Sequence, residues 1–378
     1  MKSEQKAGIY VHIPFCRRKC NYCDFYLITN QKLIEKFLVN LKNEILLMSD
    51  LIGKIHFDTL FIGGGTPSIL PALRIEQIID LINKKYDFDG VEITIETNPE
   101  DLYENPKFLK DLRSIGINRL SIGIQSFIDK ELRFLSRMHT ASQSIAVIEQ
   151  AIKYFDNISI DLIYSLPEQK KEDVIYSLQK AVTLGIPHIS AYTLIFEENT
   201  RIYLESLMGR IIKNSDEHES ELYITVSEFL TDNDYVHYEV SNYAKEGYKS
   251  LHNLKYWLGG NYIGFGPSAH SLINCQRWNN YKNIVKYNLL LSENKLPREN
   301  IHKLNKKEQK LEYIMLHLRS SGIELKEYKD IFNSEFLVEY KKAVDFILNN
   351  NLGNCDSSRL YLNTKGYALL DEILVEYF

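Results

Sequence analysis

The chain has 378 residues, 44% of them apolar and 25% charged, with a formal net charge of −5. That length exceeds one ordinary compact core and points to a large domain with a smaller companion, in a globular composition. The charge excludes a bulk electrostatic pull toward nucleic acid or anionic membrane, and no uncharged apolar run approaches the ~20 residues that span a bilayer.

β-rich apolar runs recur in chain order at Ile9–Pro14, His56–Ile62, Val91–Glu96, Arg119–Gln125, Ile158–Tyr164 and His188–Ile195. Between them lie amphipathic helix patterns at Gln31–Met48, Ala72–Tyr86, Pro106–Ile115, Ser142–Tyr154 and Glu172–Leu184. This alternation predicts βαβ units and a parallel sheet. The fold class is α/β: six such units make an open, partial (β/α)6 barrel, with a doubly wound sheet as the competitor. Either architecture puts its site at the C-terminal ends of the strands.

After Ile195 the pattern changes to a helix at Glu217–Leu230, a segment Tyr235–Tyr243, and a stretch rich in glycine and aromatics, Tyr248–Trp278. Residues 1–299 are expected to form the barrel with this extension. Residues 300–378 read as a separate module: helices at Lys306–Leu318 and Glu335–Asn349, a strand at Ser358–Asn363 and a last helix from Thr364. That order resembles a winged helix, but 11 Lys/Arg against 12 Asp/Glu give it no basic face for a duplex.

Three of the five cysteines, Cys16, Cys20 and Cys23, share one charged loop with the spacing C-x3-C-x2-C. An odd count with Cys275 and Cys355 isolated is not a disulfide framework, and the N-terminus lacks a signal-peptide apolar region, so a reducing cytoplasm is expected. Clustered thiolates select zinc, Cu(I) or iron–sulfur centres. A [4Fe–4S] cubane takes four cysteines, so three leave an open iron. The plainer alternative is structural zinc with His12 as fourth ligand.

The stretch Gly63-Gly64-Gly65-Thr66-Pro67 ends one strand and precedes a helix, with Thr66 or Ser68 able to cap. It matches neither the dinucleotide fingerprint nor a P-loop. Glycines there bring backbone N–H groups close to a ligand. Glu96 and Gln125 sit at strand ends, and Asp161 stands inside an apolar strand. A buried carboxylate needs a partner, which is either a ligand or an arginine such as Arg119 or Arg137.

The cysteine loop with GGGTP resembles the radical S-adenosylmethionine (SAM) enzymes. The fuller set YVHIPFC, GGGTPS, ETNP, SIGIQSF and DLIYSLP resembles their oxygen-independent coproporphyrinogen III oxidase branch, along essentially the whole chain. The resemblance implies that Cys16, Cys20 and Cys23 hold a [4Fe–4S] cluster whose fourth iron binds SAM. It implies further that Tyr10 and Tyr22 pack beside cluster and cofactor, and that Gly64, Gly65 and Thr66 meet the methionine amino group. Glu96, Gln125, Arg137 and Asp161 would contact the methionyl or ribose parts. The family chemistry is one-electron cleavage of SAM to methionine and a 5′-deoxyadenosyl radical.

Two features divide this branch between its oxidases and its heme chaperones. The oxidase pattern is C-x3-C-x2-C-x-C, whereas Phe25 stands at the last position here. His252-Asn253-Leu254-Lys255-Tyr256-Trp257 fits the chaperones' H-N-x-x-Y-W pattern, which implies heme contact at His252, Tyr256 and Trp257. His270 is a second imidazole that reads as an ordinary loop histidine. The resemblance therefore implies a heme chaperone serving acceptor hemoproteins such as respiratory cytochromes, with no nucleic-acid partner. Peripheral membrane contact during delivery stays open. The alternative is oxidative decarboxylation of coproporphyrinogen III.

Overall fold

Residues 6–378 are described by the structure, a computed structural model. Its frame is six parallel strands in chain order: β1 (Ala7–Ile13), β2 (His56–Gly64), β3 (Asp87–Thr97), β4 (Arg119–Gln125), β5 (Ile158–Tyr164) and β6 (His188–Thr193). β1 and β4 show why their sequences read as unbroken apolar runs. Nearly every residue of each is buried, because one face meets the helices and the other faces the barrel interior.

The connecting helices Ile34–Ser49, Ala72–Lys85, Lys107–Ser114, Ala141–Ala151 and Lys171–Thr183 each follow one strand, and Asp216–Asp232 follows β6. Their buried stripes, such as Ile75, Ile78, Ile79 and Ile82 on one helix, pack into a single large core with Ile9, Leu60, Ile95, Ile122 and Ile160 from the strands. The result is the expected partial (β/α)6 barrel.

The sheet is wider than six strands. β7 (Val236–Glu239) and β8 (Asn242–Ala244) add antiparallel beyond β6. On the other flank β9 (Tyr262–Phe265) pairs parallel with β1. β10 (His270–Ile273), β11 (Gln276–Asn280) and β12 (Arg298–Lys303) then continue antiparallel, for twelve strands in all. The glycine- and aromatic-rich stretch is thus a helix, Leu251–Trp257, followed by β9–β11. β12 spans residue 299, because its backbone pairs with β11 as far as Lys303.

Beyond it a second core gathers around Ile314, Leu318, Tyr328, Phe336, Ile347 and Leu360. Here helices Lys306–Leu318, Leu325–Phe332 and Lys341–Asn349 meet a three-stranded sheet whose hairpin joins Gly353–Cys355 to Arg359–Leu362. Two helices expected as continuous are broken. The first interrupts at Tyr340, where φ −112° and ψ 36° leave the helical region, and the last at Leu369. The module is tied to the barrel by Val240 N–H donating to Arg319 O at 2.9 Å and by an Arg277–Glu312 ion pair at 2.9 Å.

Candidate functional site

The cysteine loop leaves the C-terminal end of β1 and is clamped on several sides. Cys16 N–H donates to Ile28 O at 3.0 Å, and Asn21 Nδ2 donates to Phe134 O at 2.6 Å. Arg17 pairs with Asp101 at 2.8 Å and Glu104 at 2.7 Å, tying the loop to the helix Pro99–Glu104 after β3. The three thiols line one cleft of about 450 Å³ together with Tyr22, Gly64, Gly65, Thr66, Glu96, Gln125, Arg137 and Asp161. Eleven of the fifteen residues that the sequence marked therefore share one concave surface.

The sulfurs sit among donors. Thr66 Oγ1 lies 3.2 Å from Cys16 Sγ and accepts from Asn98 Nδ2 at 3.0 Å. Thr66, one of two residues able to cap the next turn, makes no cap bond, because its hydroxyl is turned to the thiol instead. Arg137 Nη1 lies 3.5 Å from Cys20 Sγ, while Nη2 donates to Asn98 Oδ1 at 2.6 Å and Gly123 O at 3.0 Å. Burial pushes the Cys16 thiol up to about 11 and raises Cys23 as well. Such thiols ionise readily only when a cationic centre takes the charge.

A cubane spreads its thiolates over separate irons, so three sulfurs facing one cleft fit it. His12, the fourth ligand of the zinc alternative, is buried with Nδ1 3.0 Å from Tyr10 Oη and Nε2 3.0 Å from Tyr26 O. Neither ring nitrogen is left for a metal.

The glycine run has a steric reason at each position. Gly64 has φ +113°, and a Cβ there would lie 2.6 Å from His12 Nδ1. A Cβ on Gly65 would lie 2.6 Å from Phe15 O, and one on Gly63 would lie 2.8 Å from Glu96 Oε2. The backbone is stripped so that loop, strand end and carboxylate can stack.

Glu96, on β3, accepts from Gly64 N–H at 2.9 Å. Burial, then the nearby Asp161 charge, pushes its carboxyl up to about 8. Asp161, on β5, is pushed up to about 6 by burial and accepts from Ser121 Oγ at 3.3 Å. Among the described residues no direct ion pair joins either carboxylate to Arg119 or Arg137, though the Arg119 charge acts on both and lowers the pKa of each against burial. Gln125 ends β4 with φ +69°, left-handed for a residue with a side chain, where the β4–β5 register slips. Such strain concentrates at ligand sites.

Tyr10, His252 and Tyr256 are elsewhere. They border a second, inner cavity of about 200 Å³ that shares Glu96, Ser121, Asp161 and Tyr192 with the cleft. His252 is 1% exposed. Its Nδ1 lies 2.9 Å from Thr59 Oγ1 and its Nε2 2.8 Å from Tyr256 Oη, so it offers no free nitrogen in this conformation. Burial lowers its pKa to about 3, keeping the ring neutral. Trp257 borders neither cavity. Sequence reasoning passed over Asn98 and Tyr192, and read Arg119 only as a possible ion-pair partner. Asn98 and Tyr192 stand at the ends of β3 and β6, a positional signal that was available; the environment of Arg119 was not.

A parallel-stranded barrel with three thiols, a glycine strand end and buried carboxylates around one cleft defines a radical SAM protein, and the model of the radical SAM superfamily matches residues 10–199. That superfamily works with SAM and a [4Fe–4S] cluster. The heme chaperone HemW of Bacillus subtilis is 34% identical over 96% of this chain and 97% of its own length. HemW of Lactococcus lactis is 33% identical over 99% and 98%. The chain belongs to the HemW family, in the HemN-like branch of the superfamily. The coproporphyrinogen III oxidase HemN of Escherichia coli superposes with a TM-score of 0.83 at 23% identity, covering 98% of this chain and 90% of HemN, a likeness of fold.

Proposed function

We propose that this chain is a heme chaperone: it binds heme and hands it to acceptor hemoproteins such as respiratory cytochromes in the cytoplasm. It would hold a [4Fe–4S] cluster through Cys16, Cys20 and Cys23, and SAM through Tyr22, Gly64, Gly65, Thr66, Glu96, Gln125, Arg137 and Asp161, with Tyr10 alongside. When bound, this pair supplies reductive cleavage of SAM. The chain's own part is to donate toward the sulfurs from Thr66 and Arg137, to face the cofactor with the Glu96 and Asp161 carboxyls, and to keep water from the barrel interior.

The observation that carries the reading is Phe25. It stands where the oxidase pattern has a cysteine, it is 66% exposed and it lines the cleft. An exposed aromatic ring on the lip offers apolar surface to a flat macrocycle and supplies no thiol for decarboxylation chemistry. In the H-N-x-x-Y-W segment the division of labour follows burial. His252 and Tyr256 lock the helix to β2, and half-buried Trp257 remains to touch heme.

The test is paired. Hemin titrated into the protein should give a saturable Soret shift. Reconstituted protein given coproporphyrinogen III, SAM and dithionite should leave the porphyrinogen unconverted. Turnover to protoporphyrinogen with no hemin complex would replace this reading with the oxidase.

A further inference from the structure

Arg119 opens β4, in register with Thr94 of β3. It is 2% exposed, among the largest fully enclosed side chains of the molecule. Among the described residues no hydrogen bond or ion pair engages it, and its Nε is buried without a partner. The Thr94 hydroxyl beside it is also buried and unpartnered. Burying a guanidinium is tolerated when an anion accompanies it. Here no anion bonds it directly: the Glu96 and Asp161 carboxyls lie within its field, but burial pushes both toward their neutral forms.

The residue faces the inner cavity of about 200 Å³. Most other polar groups on that wall are already engaged. Ser159 Oγ is 2.7 Å from His188 Nδ1, Ser121 bonds Asp161, and Tyr256 bonds His252. Arg119 is the exception, a cation aimed into a space large enough for a handful of heavy atoms.

We infer that the inner cavity is a binding site for a carboxylate on a short aliphatic stem, with Arg119 as its anion-binding residue. The guanidinium fork matches a planar carboxylate with two parallel N–H···O bonds. Phe61, Tyr10 and Tyr256 on the wall accept an aliphatic stem. A phosphate dianion fits less well, because Glu96 and Asp161 share the same wall and repel a second negative charge. Whole heme is too large for this space. The carboxylate belongs either to a free short-chain acid or to an arm of a larger ligand in the adjoining cleft.

The full chain, melted with increasing sodium propionate at constant ionic strength, should gain about 2 °C or more at large excess over Kd, and propionamide at the same concentrations should give no gain. Arg119→Gln should lose the propionate response, and Arg119→Lys should keep it at weaker affinity. Repeating the titration with hemin or its dimethyl ester prebound separates the sources. Blockade by hemin alone assigns the site to a propionate arm; an unblocked response assigns it to a free acid. Failure of hemin to bind would sink the heme reading while leaving the propionate result intact. The site is overturned if propionate and propionamide act alike, or if Arg119→Met melts higher than wild type and wild type ignores propionate. Either result means a water-filled cavity around a costly arginine.

Discussion

The imidazole of His252 is held from both sides, by the Thr59 hydroxyl at 2.9 Å on Nδ1 and the Tyr256 hydroxyl at 2.8 Å on Nε2. The backbone of the same helix is fixed by Glu92, which accepts from Leu251 N–H and His252 N–H, both at 2.9 Å. The helix that carries the heme-type motif is thus pinned to β2 and β3 by its own histidine.

His252→Ala is therefore expected to cost about 2–4 kcal/mol of stability, from the cavity and from the Thr59 hydroxyl left buried without a partner. Urea unfolding measures this. If His252 serves as a lock, the Soret maximum of the hemin complex stays where it is in wild type, even if affinity drops. A displaced maximum would make His252 an iron ligand and require the helix to move on heme binding.

The stability of the ligand-free protein should fall with rising pH, and Glu96 should be a major cause. Its carboxyl is pushed up to about 8 in the fold, chiefly by burial, from an ordinary value of 4.5. The folded state thus binds this proton more tightly than the unfolded chain does. The stabilisation is complete below the ordinary value and is lost as pH rises through about 8. Glu96→Gln should flatten the dependence of Tm on pH across that window. A residual slope should remain, because burial also pushes Glu44 and Glu239 up to about 7. An unchanged profile in the variant would show that Glu96 is ionised in the fold.

Gly64→Ala is expected to cost more than Gly116→Ala. Both positions have positive φ, +113° and +95°, so both carry the backbone penalty of about 1–2 kcal/mol. Only at Gly64 does the new methyl meet anything, the His12 ring at 2.6 Å. The difference between the two melting curves isolates that collision, and SAM affinity should fall only in the Gly64 variant. Equal losses would show that His12 gives way.

Anaerobic reconstitution should load about four irons per chain, as one cubane. Cys16→Ser, Cys20→Ser and Cys23→Ser should each lose most of that iron, whereas Cys275→Ser and Cys355→Ser should keep it. The latter two lie outside the cleft. Zinc in place of iron after reconstitution would end the radical SAM account of the loop.

Much of this site could be read from local pattern. Cys16, Gly64, Glu96, Gln125 and Asp161 are each anomalous in their own few residues: a thiol cluster, a bare strand end, or a polar side chain in an apolar strand. A barrel gathers strand ends, so local anomalies become neighbours. What stayed hidden depends on distant partners. His252 has its Nδ1 occupied by Thr59, 193 residues away, and nothing around His252 announces it. The flanking strands β7–β10 are only 3 to 4 residues long, too short to show period-two alternation. Arg119 read as an ion-pair partner for Glu96 or Asp161; in the fold its charge reaches both carboxyls without a direct bond, which depends on side-chain direction inside the barrel.

The most direct test of heme carriage is the rate of handover. Hemin-loaded protein would be mixed with an apo-form respiratory cytochrome, and in parallel held apart from it by a dialysis membrane. Faster cytochrome formation in the mixture than across the membrane is the result expected of a chaperone that delivers by contact. Equal rates, limited only by the escape of hemin into solution, would contradict it and leave a protein that binds heme without delivering it.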